Sequence, residues 1–459
     1  MSTDTIAAIA TAVSDAGIGI IRVSGEDAIQ FADRVYCGKD RHKKLADVKS
    51  HTIHYGFIYD KEEMIDEVMV VVMRSPNTYT KEDTVEIDCH GGILVMNKIL
   101  NVLLKNGCRL AEPGEFTKRA FLNGRIDLSR AEAVMDLIHS KNEFALRSSI
   151  RQLEGAVSDQ VRSLRKEILT EIAYIESALD DPEHISLEGY PASLEEKAEQ
   201  IIKELKRLIQ SADHGKMLKD GINTVIVGKP NAGKSSLLNL LVGEDRAIVT
   251  SVAGTTRDIL EESIKLRGIG LNMIDTAGIR DTDDEVEKIG VDKARKYAET
   301  ADLILYVVDA SCPLDKDDDE IMSLIADKKV IVLLNKTDLA QVVSEEEIIH
   351  KMPQISIIRT SMKENTGMDV FEETIQDLFF GGEIAINDEI YITNQRHKEA
   401  LSEACESMEM VMESLAQNMP EDFYSIDLMS AYASLGKIIG EEVGEDLVNE
   451  IFSKFCMGK

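Results

Sequence analysis

The sequence predicts a chain of mixed class, α+β and α/β, in several domains. An amino-terminal α/β domain comes first, followed by an all-α domain into which a doubly wound α/β domain is inserted. Three observations predict this. Between residues of about 218 and 380, short apolar runs alternate with helical segments. On both sides of that stretch, apolar residues recur at spacings of three and four, the mark of amphipathic helices. Ahead of it, the first 120 residues mix strand-like runs with a helical pattern. The length of 459 residues suits about three domains at roughly 100–200 residues each.

In the amino-terminal part, Ile18–Val23 and Glu67–Met73 read as strands and Leu94–Leu104 as a helix. Gly17-Ile-Gly19-Ile-Ile-Arg22 is not a dinucleotide fingerprint, because Arg22 stands where glycine or alanine is needed and the segment opens a strand. Ser129-x-x-Glu132 and Ser193-x-x-Glu196 read as capping boxes that start helices. From Leu146 through Ile150, Leu153, Val157, Val161, Leu164, Ile168, Ile172 and Ile175 to Leu179, one continuous stripe predicts a single long helix ending at Asp181-Pro182. Near the carboxyl end, Leu401, Cys405, Met408, Met412 and Leu415 fall at heptad spacing, with the methionines and cysteine as core fillers. Strands are expected at Asn223–Val227, Leu271–Ile274, Leu303–Asp309, Val330–Leu334 and Ile355–Ile358. Helices of similar type on both sides make insertion the simpler account, since domain termini often lie close together. The boundaries fall at 1–120, 121–217, 218–380 and 381–459.

Composition narrows the function classes. The chain is 44% hydrophobic and 29% charged, as in ordinary globular proteins. Its longest purely apolar runs, such as Val68–Met73 and Leu303–Val308, have six residues, against about twenty for a spanning helix. The start lacks a basic segment and a long apolar core, so the cytoplasm is the expected compartment. Six cysteines without a C-x-x-C pair indicate neither a disulfide scaffold nor a zinc site. A net charge of −31 argues against a general nucleic-acid binder, although residues 1–120 carry only −3.

Gly228-Lys-Pro-Asn231-Ala232-Gly233-Lys234-Ser235 follows a strand and precedes the helix Ser236–Leu241, the context of a phosphate-binding loop. Backbone amides curl round phosphates, Lys234 reaches the terminal ones, and Ser235 offers its hydroxyl to Mg2+. Asp275-Thr-Ala-Gly278 follows the next strand, where the carboxylate of Asp275 holds Mg2+ through water and the Gly278 amide meets the γ-phosphate. Asn335-Lys336-Thr-Asp338 follows another, and the Asp338 carboxylate accepts two hydrogen bonds that guanine can give and adenine cannot. Thr360-Ser361-Met362-Lys363 suits the last base-contacting loop, and Thr255-Thr256 the switch threonines. Five weak signals in this order predict a Ras-like GTPase domain that binds GTP. Ile279 stands where related enzymes carry a water-orienting glutamine, so water and positive charge need another source. The Asn231 side chain suits a monovalent cation, or else braces the loop, and Asp281–Glu287 offers carboxylates.

The chain resembles the MnmE (TrmE) family of tRNA-modification GTPases. The resemblance rests on Gly17-Ile-Gly-Ile-Ile-Arg22, on Pro113-Gly-Glu-Phe116 with Arg119-Ala-Phe-Leu-Asn123, and on the terminal Phe455-Cys456-Met457-Gly458-Lys459. It extends over the whole length through Gly228–Ser236 and Gly254-Thr-Thr-Arg-Asp258. Met457 stands where the family commonly has isoleucine. The resemblance implies an amino-terminal folate-binding domain that mediates homodimerisation, a helical domain, and the inserted GTPase domain. It implies that the chain, with a flavoprotein partner (MnmG, or GidA) in a heterotetramer, forms 5-aminomethyl or 5-carboxymethylaminomethyl groups on the wobble uridine of certain tRNAs. The one-carbon unit comes from 5-formyl- or methylene-tetrahydrofolate. Arg22, Glu86, Arg125 and Lys459 match folate-contacting positions, with Arg125 where relatives carry lysine. Cys456 matches the family's tail cysteine, which either takes part in the modification chemistry or is a plain buried cysteine. Asn231, Thr250, Val252 and Thr255 match a K+ site that takes the place of an arginine finger, and Glu287 matches the glutamate that orients the attacking water. A ribosome-assembly GTPase or a purely regulatory GTP switch would share the nucleotide motifs. The tail and the Arg22 segment speak against both.

Overall fold

A computed structural model describes residues 4–39, 44–140, 142–243, 262–266, 269–274, 301–353, 355–380 and 391–458. The chain divides into two compact units. One comprises Met1–Ile138, Arg151–Ala198 and Glu406–Lys459, and the other His139–Ile150 and Glu199–Cys405.

The first unit holds a seven-stranded sheet of β1 (Ile6–Ile9), β2 (Ala16–Ser24), β3 (Tyr36–Gly38), β4 (Thr52–Asp60), β5 (Glu63–Met73), β6 (Thr84–Gly91) and β7 (Arg109–Leu110), in the order β3-β4-β5-β6-β2-β1-β7. All pairs are antiparallel except β1 with β7. Alternation along the strands gives the sheet two different faces. Val68, Val70 and Val72 of β5 join Val85 and Ile87 of β6 and Ile21 and Val23 of β2. Helices α1 (Ala28–Val35) and α2 (Ile93–Lys105) bury this face with Ile29, Val35, Met96, Ile99 and Leu103. On the other face Ile53 is 63% exposed and Met69 47%, beside the exposed Ile18 and Tyr55.

Further along come α3 (Glu115–Leu122), α4 (Leu128–His139), α5 (Glu143–Glu154), α6 (Ala156–Asp180) and α7 (Tyr190–Asp220). Three expectations need correction here. The residue that starts α4 is Asp127, whose Oδ1 accepts the Arg130 amide at 3.0 Å and the Ser129 hydroxyl at 2.7 Å. An aspartate one residue ahead of the helix reaches its free amides better than a serine already inside it. Ser193 likewise lies inside α7, which begins at Tyr190. The single long helix is two, broken at Gly155, whose φ of +115° is left-handed. Leu146 and Ile150, ahead of the break, are each 41% exposed, whereas Val157, Val161, Leu164, Ile168 and Ile175 beyond it are buried.

The second unit is built on a six-stranded sheet of β8 (Ile222–Val227), β9 (Glu262–Leu266), β10 (Ile269–Met273), β11 (Leu303–Asp309), β12 (Val330–Asn335) and β13 (Ser356–Arg359), in the order β13-β12-β11-β8-β10-β9. Every pair is parallel except β9 with β10, and β9 is a strand the apolar pattern does not announce. Both faces are covered, as parallel sheets require. Leu303, Leu305 and Val307 pack with α8 (Lys234–Val242) on one side. Ile304, Tyr306 and Val308 pack with α9 (Lys316–Ile325) on the other. Among the described residues this unit also holds α10 (Glu345–Lys351), α11 (Met368–Phe380), the first part of α12 (Gln395–Ala416), the first part of α5 and the later part of α7. In α12, Leu401, Cys405 and Met408 are buried as expected, but Val411 takes the inward place beside a half-buried Met412. Two helices complete the chain, α13 (Glu421–Ile439) against α6 and α14 (Glu445–Ser453).

Candidate functional site

Strand order reverses at β8: the chain continues to β10 on one side and to β11 on the other. Ligands of open α/β sheets bind beyond the carboxyl ends of the strands at such a point. There Gly228–Ser235 turns from β8 into α8, with Asn231 exposed at φ +60°. Gly233 has a φ of +110°, and a Cβ added to it would stand 2.1 Å from Asn335 Nδ2. Neither the turn nor that approach tolerates a side chain. The Lys234 ammonium folds over the loop and donates to the carbonyls of Gly228 at 2.8 Å and Lys229 at 2.6 Å. Ala232 is buried behind the loop, while Ser235 and Ser236 form the first turn of α8, whose amide end attracts anions.

Asn335 ends β12 and is only 2% exposed. Its Nδ2 donates to the Ala232 carbonyl at 2.8 Å, and its Oδ1 accepts the Met362 amide at 3.2 Å. One side chain therefore ties the phosphate loop to the loop after β13. Ser361 donates its hydroxyl to Asp338 Oδ1 at 2.8 Å, which orients the carboxylate and leaves its second oxygen for a base. The Lys336 ammonium meets Asp309 Oδ2 at 2.6 Å. Burial opposes the Asp309 charge, but Lys336 and the hydroxyl and amide of Ser311 outweigh it and hold the carboxyl below its usual range. Asp309 was not anticipated, because an aspartate ending a strand has no motif of its own. An amide-lined loop, an ammonium held over it and an oriented carboxylate on one sheet edge are the chemistry that a guanine nucleotide requires. Thr250, Val252, Thr255, Thr256, Asp275, Gly278 and Glu287 lie outside the described residues.

A second cluster forms in the first unit. Arg22 on β2 pairs through Nε with Glu86 Oε1 on β6 at 2.7 Å, the two facing each other across the ladder. Its Nη1 donates to the carbonyl of Gly458 at 3.2 Å, which brings the chain's last residues to the sheet. The Cys456 carbonyl accepts the Gly114 amide at 3.3 Å, and Phe455 is buried against Phe452. Cys456 itself is exposed, and Lys454 pairs with Glu450. Tyr79 and Phe116 present rings to the Arg22 guanidinium at 5.9 and 5.7 Å, and Arg125 lies over the Tyr79 ring at 4.7 Å. Tyr79 was missed, since no local signal separates it from any other loop tyrosine. Lys459 lies outside the described residues.

The buried cysteines are of another kind: burial pushes the thiols of Cys89 and Cys108 up to about 12. Among the described residues, no helix is long and apolar enough to cross a membrane.

Comparison with known proteins matches both parts of the chain. Residues 128–456 fit the family model of the MnmE helical domain, and residues 5–125 that of the GTP-binding protein TrmE N-terminus. The tRNA modification GTPase MnmE of Lachnoclostridium phytofermentans is 59% identical over 459 residues, with the whole of each chain covered. Its namesake from Staphylococcus epidermidis is 46% identical over 462 residues, again covering all of each chain. That of Acetivibrio thermocellus is 48% identical over 458 residues and covers 99% of each. With the phosphate and base loops in order on one sheet edge, these full-length likenesses make the chain a GTP hydrolase that belongs to the MnmE family of tRNA modification GTPases.

Proposed function

We propose that the chain is a potassium-stimulated GTPase acting in tRNA modification. With the flavoprotein MnmG (GidA) it forms 5-aminomethyl or 5-carboxymethylaminomethyl groups on the wobble uridine of certain tRNAs. A tetrahydrofolate derivative, 5-formyl- or methylene-tetrahydrofolate, supplies the one-carbon unit. The observation that carries this reading is the meeting of Arg22 with both Glu86 and the Gly458 carbonyl, three positions far apart in sequence. A carboxylate can accept the donor edge of a pterin, and the Tyr79 and Phe116 rings offer flat apolar surface to it. Arg22, Glu86, Arg125 and Lys459 would hold the folate, and the tail would bring Cys456 to the same place.

On the nucleotide side, Ser235, Thr256 and Asp275 would hold Mg2+, and Asn231, Thr250, Val252 and Thr255 would hold K+. The cation supplies the positive charge that an arginine finger supplies elsewhere. Glu287 would orient the attacking water. Lys234 and the amides of the loop would hold the phosphates, while Lys336, Asp338, Ser361 and Met362 would frame the base. The open sheet face with Ile53, Tyr55 and Met69 supports a homodimer through the amino-terminal domain, and the heterotetramer with the partner would build on it. The domain limits at 120, 217 and 380 belong to the same proposal.

The test is mass spectrometry of tRNA nucleosides from cells lacking the chain, with and without the gene restored. Wobble uridines should lose their aminomethyl-type group and regain it on restoration. Unchanged wobble uridines would refute the proposed role and leave only the GTPase.

A further inference from the structure

Beside the phosphate loop lies a cluster that none of the nucleotide motifs uses. Lys229, the second residue of the loop, extends its ammonium to Asp318 Oδ2 at 2.6 Å and Asp315 Oδ2 at 2.9 Å. Both carboxylates are fixed from behind. Asp318 is 1% exposed, and its Oδ1 accepts the hydroxyl of the fully buried Tyr306 at 2.7 Å. Its Oδ2 also accepts the Asp315 amide at 3.0 Å. Asp315 caps α9 by accepting the amides of Asp317 and Asp318 at 3.0 and 3.3 Å. Tyr306 stands on β11 opposite Val227, the last residue of β8 before the loop.

We propose that Lys229 is a positioning residue for nucleotide binding: clamped by Asp315 and Asp318, it fixes the loop carbonyls that hold and steer Lys234. The Lys229 carbonyl accepts both the Lys234 ammonium at 2.6 Å and the Ala232 amide at 3.3 Å. A shift of this one residue therefore moves the anchor of the phosphate-binding ammonium and the first turn of the loop together. The cluster also has an electrostatic role. Asp318 is buried and cannot be left without a cation at small cost. Without Lys229, two carboxylates would stand unneutralised beside a loop that receives a polyanion. Methionine keeps an unbranched apolar stem but no ammonium, so Lys229→Met removes the charge and its hydrogen bonds together.

The experiment uses the full-length protein. GDP affinity is measured by calorimetry and GTP hydrolysis by steady-state kinetics, with the unsubstituted chain alongside. Lys229→Met should raise the GDP Kd and the GTP KM about tenfold, with the loss in binding rather than in kcat at saturation. Lys229→Arg should bring both constants back to within about threefold, because a guanidinium can bridge two carboxylates. Thermal melting of each variant shows whether the fold itself has weakened. In the Lys229→Met background, Asp318→Asn should cost less affinity than it does alone, since the two side chains act as a unit. An unchanged Kd and KM in Lys229→Met would overturn the proposal. So would a lowered melting temperature with nucleotide affinity intact, for then the cluster merely braces the sheet.

Discussion

Asn335 illustrates how much a motif conceals at the scale of a single residue. Its place in Asn-Lys-x-Asp marks it for the base, yet both ends of its amide are engaged by the protein, one on the phosphate loop and one on the loop after β13. It holds the two loops in register, and Gly233 must lack a side chain for it to reach them. The proposed mechanism can be tested at the same scale. Glu287→Ala should abolish GTP hydrolysis while leaving GTP binding intact, as expected of a residue that acts on water rather than on the phosphates. Hydrolysis by the unsubstituted chain should be faster in potassium than in sodium at equal ionic strength. Normal turnover in the variant would remove Glu287 from its role, and equal rates in the two salts would remove the cation site.

Among the elements, the boundary between α5 and α6 is the most informative. The apolar spacing runs through Gly155 without interruption, but the backbone there is left-handed and the Arg130 guanidinium fills the space a side chain would take. Arg130 Nη2 also donates to the Glu154 carbonyl at 3.2 Å, satisfying a helix end. Gly155→Ala should therefore destabilise the protein by about 1–3 kcal/mol, through backbone strain and displacement of Arg130. Urea unfolding followed by circular dichroism would show it. A midpoint equal to that of the unsubstituted chain would mean that the two helices can fuse into one.

Across the whole molecule, the first unit depends on a charge network that joins distant parts of the chain. Arg119 meets Asp4 Oδ1 at 2.9 Å, Glu82 Oε1 at 3.2 Å and Glu115 Oε1 at 3.0 Å, and Arg109 meets the same Glu115 oxygen at 2.5 Å. Burial of Glu115 opposes its charge, but Arg109, the Glu112 amide and Arg119 outweigh it and hold the carboxyl below its usual range. A carboxyl depressed on folding stabilises the protein above its unfolded pKa, and that contribution fades as pH falls through the folded value. The melting temperature should accordingly fall as pH drops below about 4. Glu115→Gln should cost about 1.5–3 kcal/mol at neutral pH, because the buried carboxylate's charged hydrogen bonds are lost while Arg109 and Arg119 both keep Asp4 and Arg119 also keeps Glu82. Its melting temperature should then vary less between pH 5 and pH 3. An equally steep acid loss in the variant would assign the effect to other carboxylates.

By itself the sequence determined the doubly wound domain, the order of its nucleotide loops and the family, because these rest on short contiguous segments whose spacing follows from local geometry. A loop that wraps phosphate needs its glycines and lysine within eight residues, and a buried parallel strand needs an unbroken apolar run. Only the tertiary structure decided what depends on residues far apart. It brought Tyr79 and the Gly458 carbonyl to Arg22, placed Asp127 rather than Ser129 at the start of α4, and set Lys229 between Asp315, which caps α9, and Asp318 in its first turn. It also split a continuous stripe at Gly155 and added β9 at the sheet edge. Apolar periodicity records which face of an element is buried but not which neighbour buries it. Polar partners across the chain leave no period at all, so they become visible only once packing has brought them together.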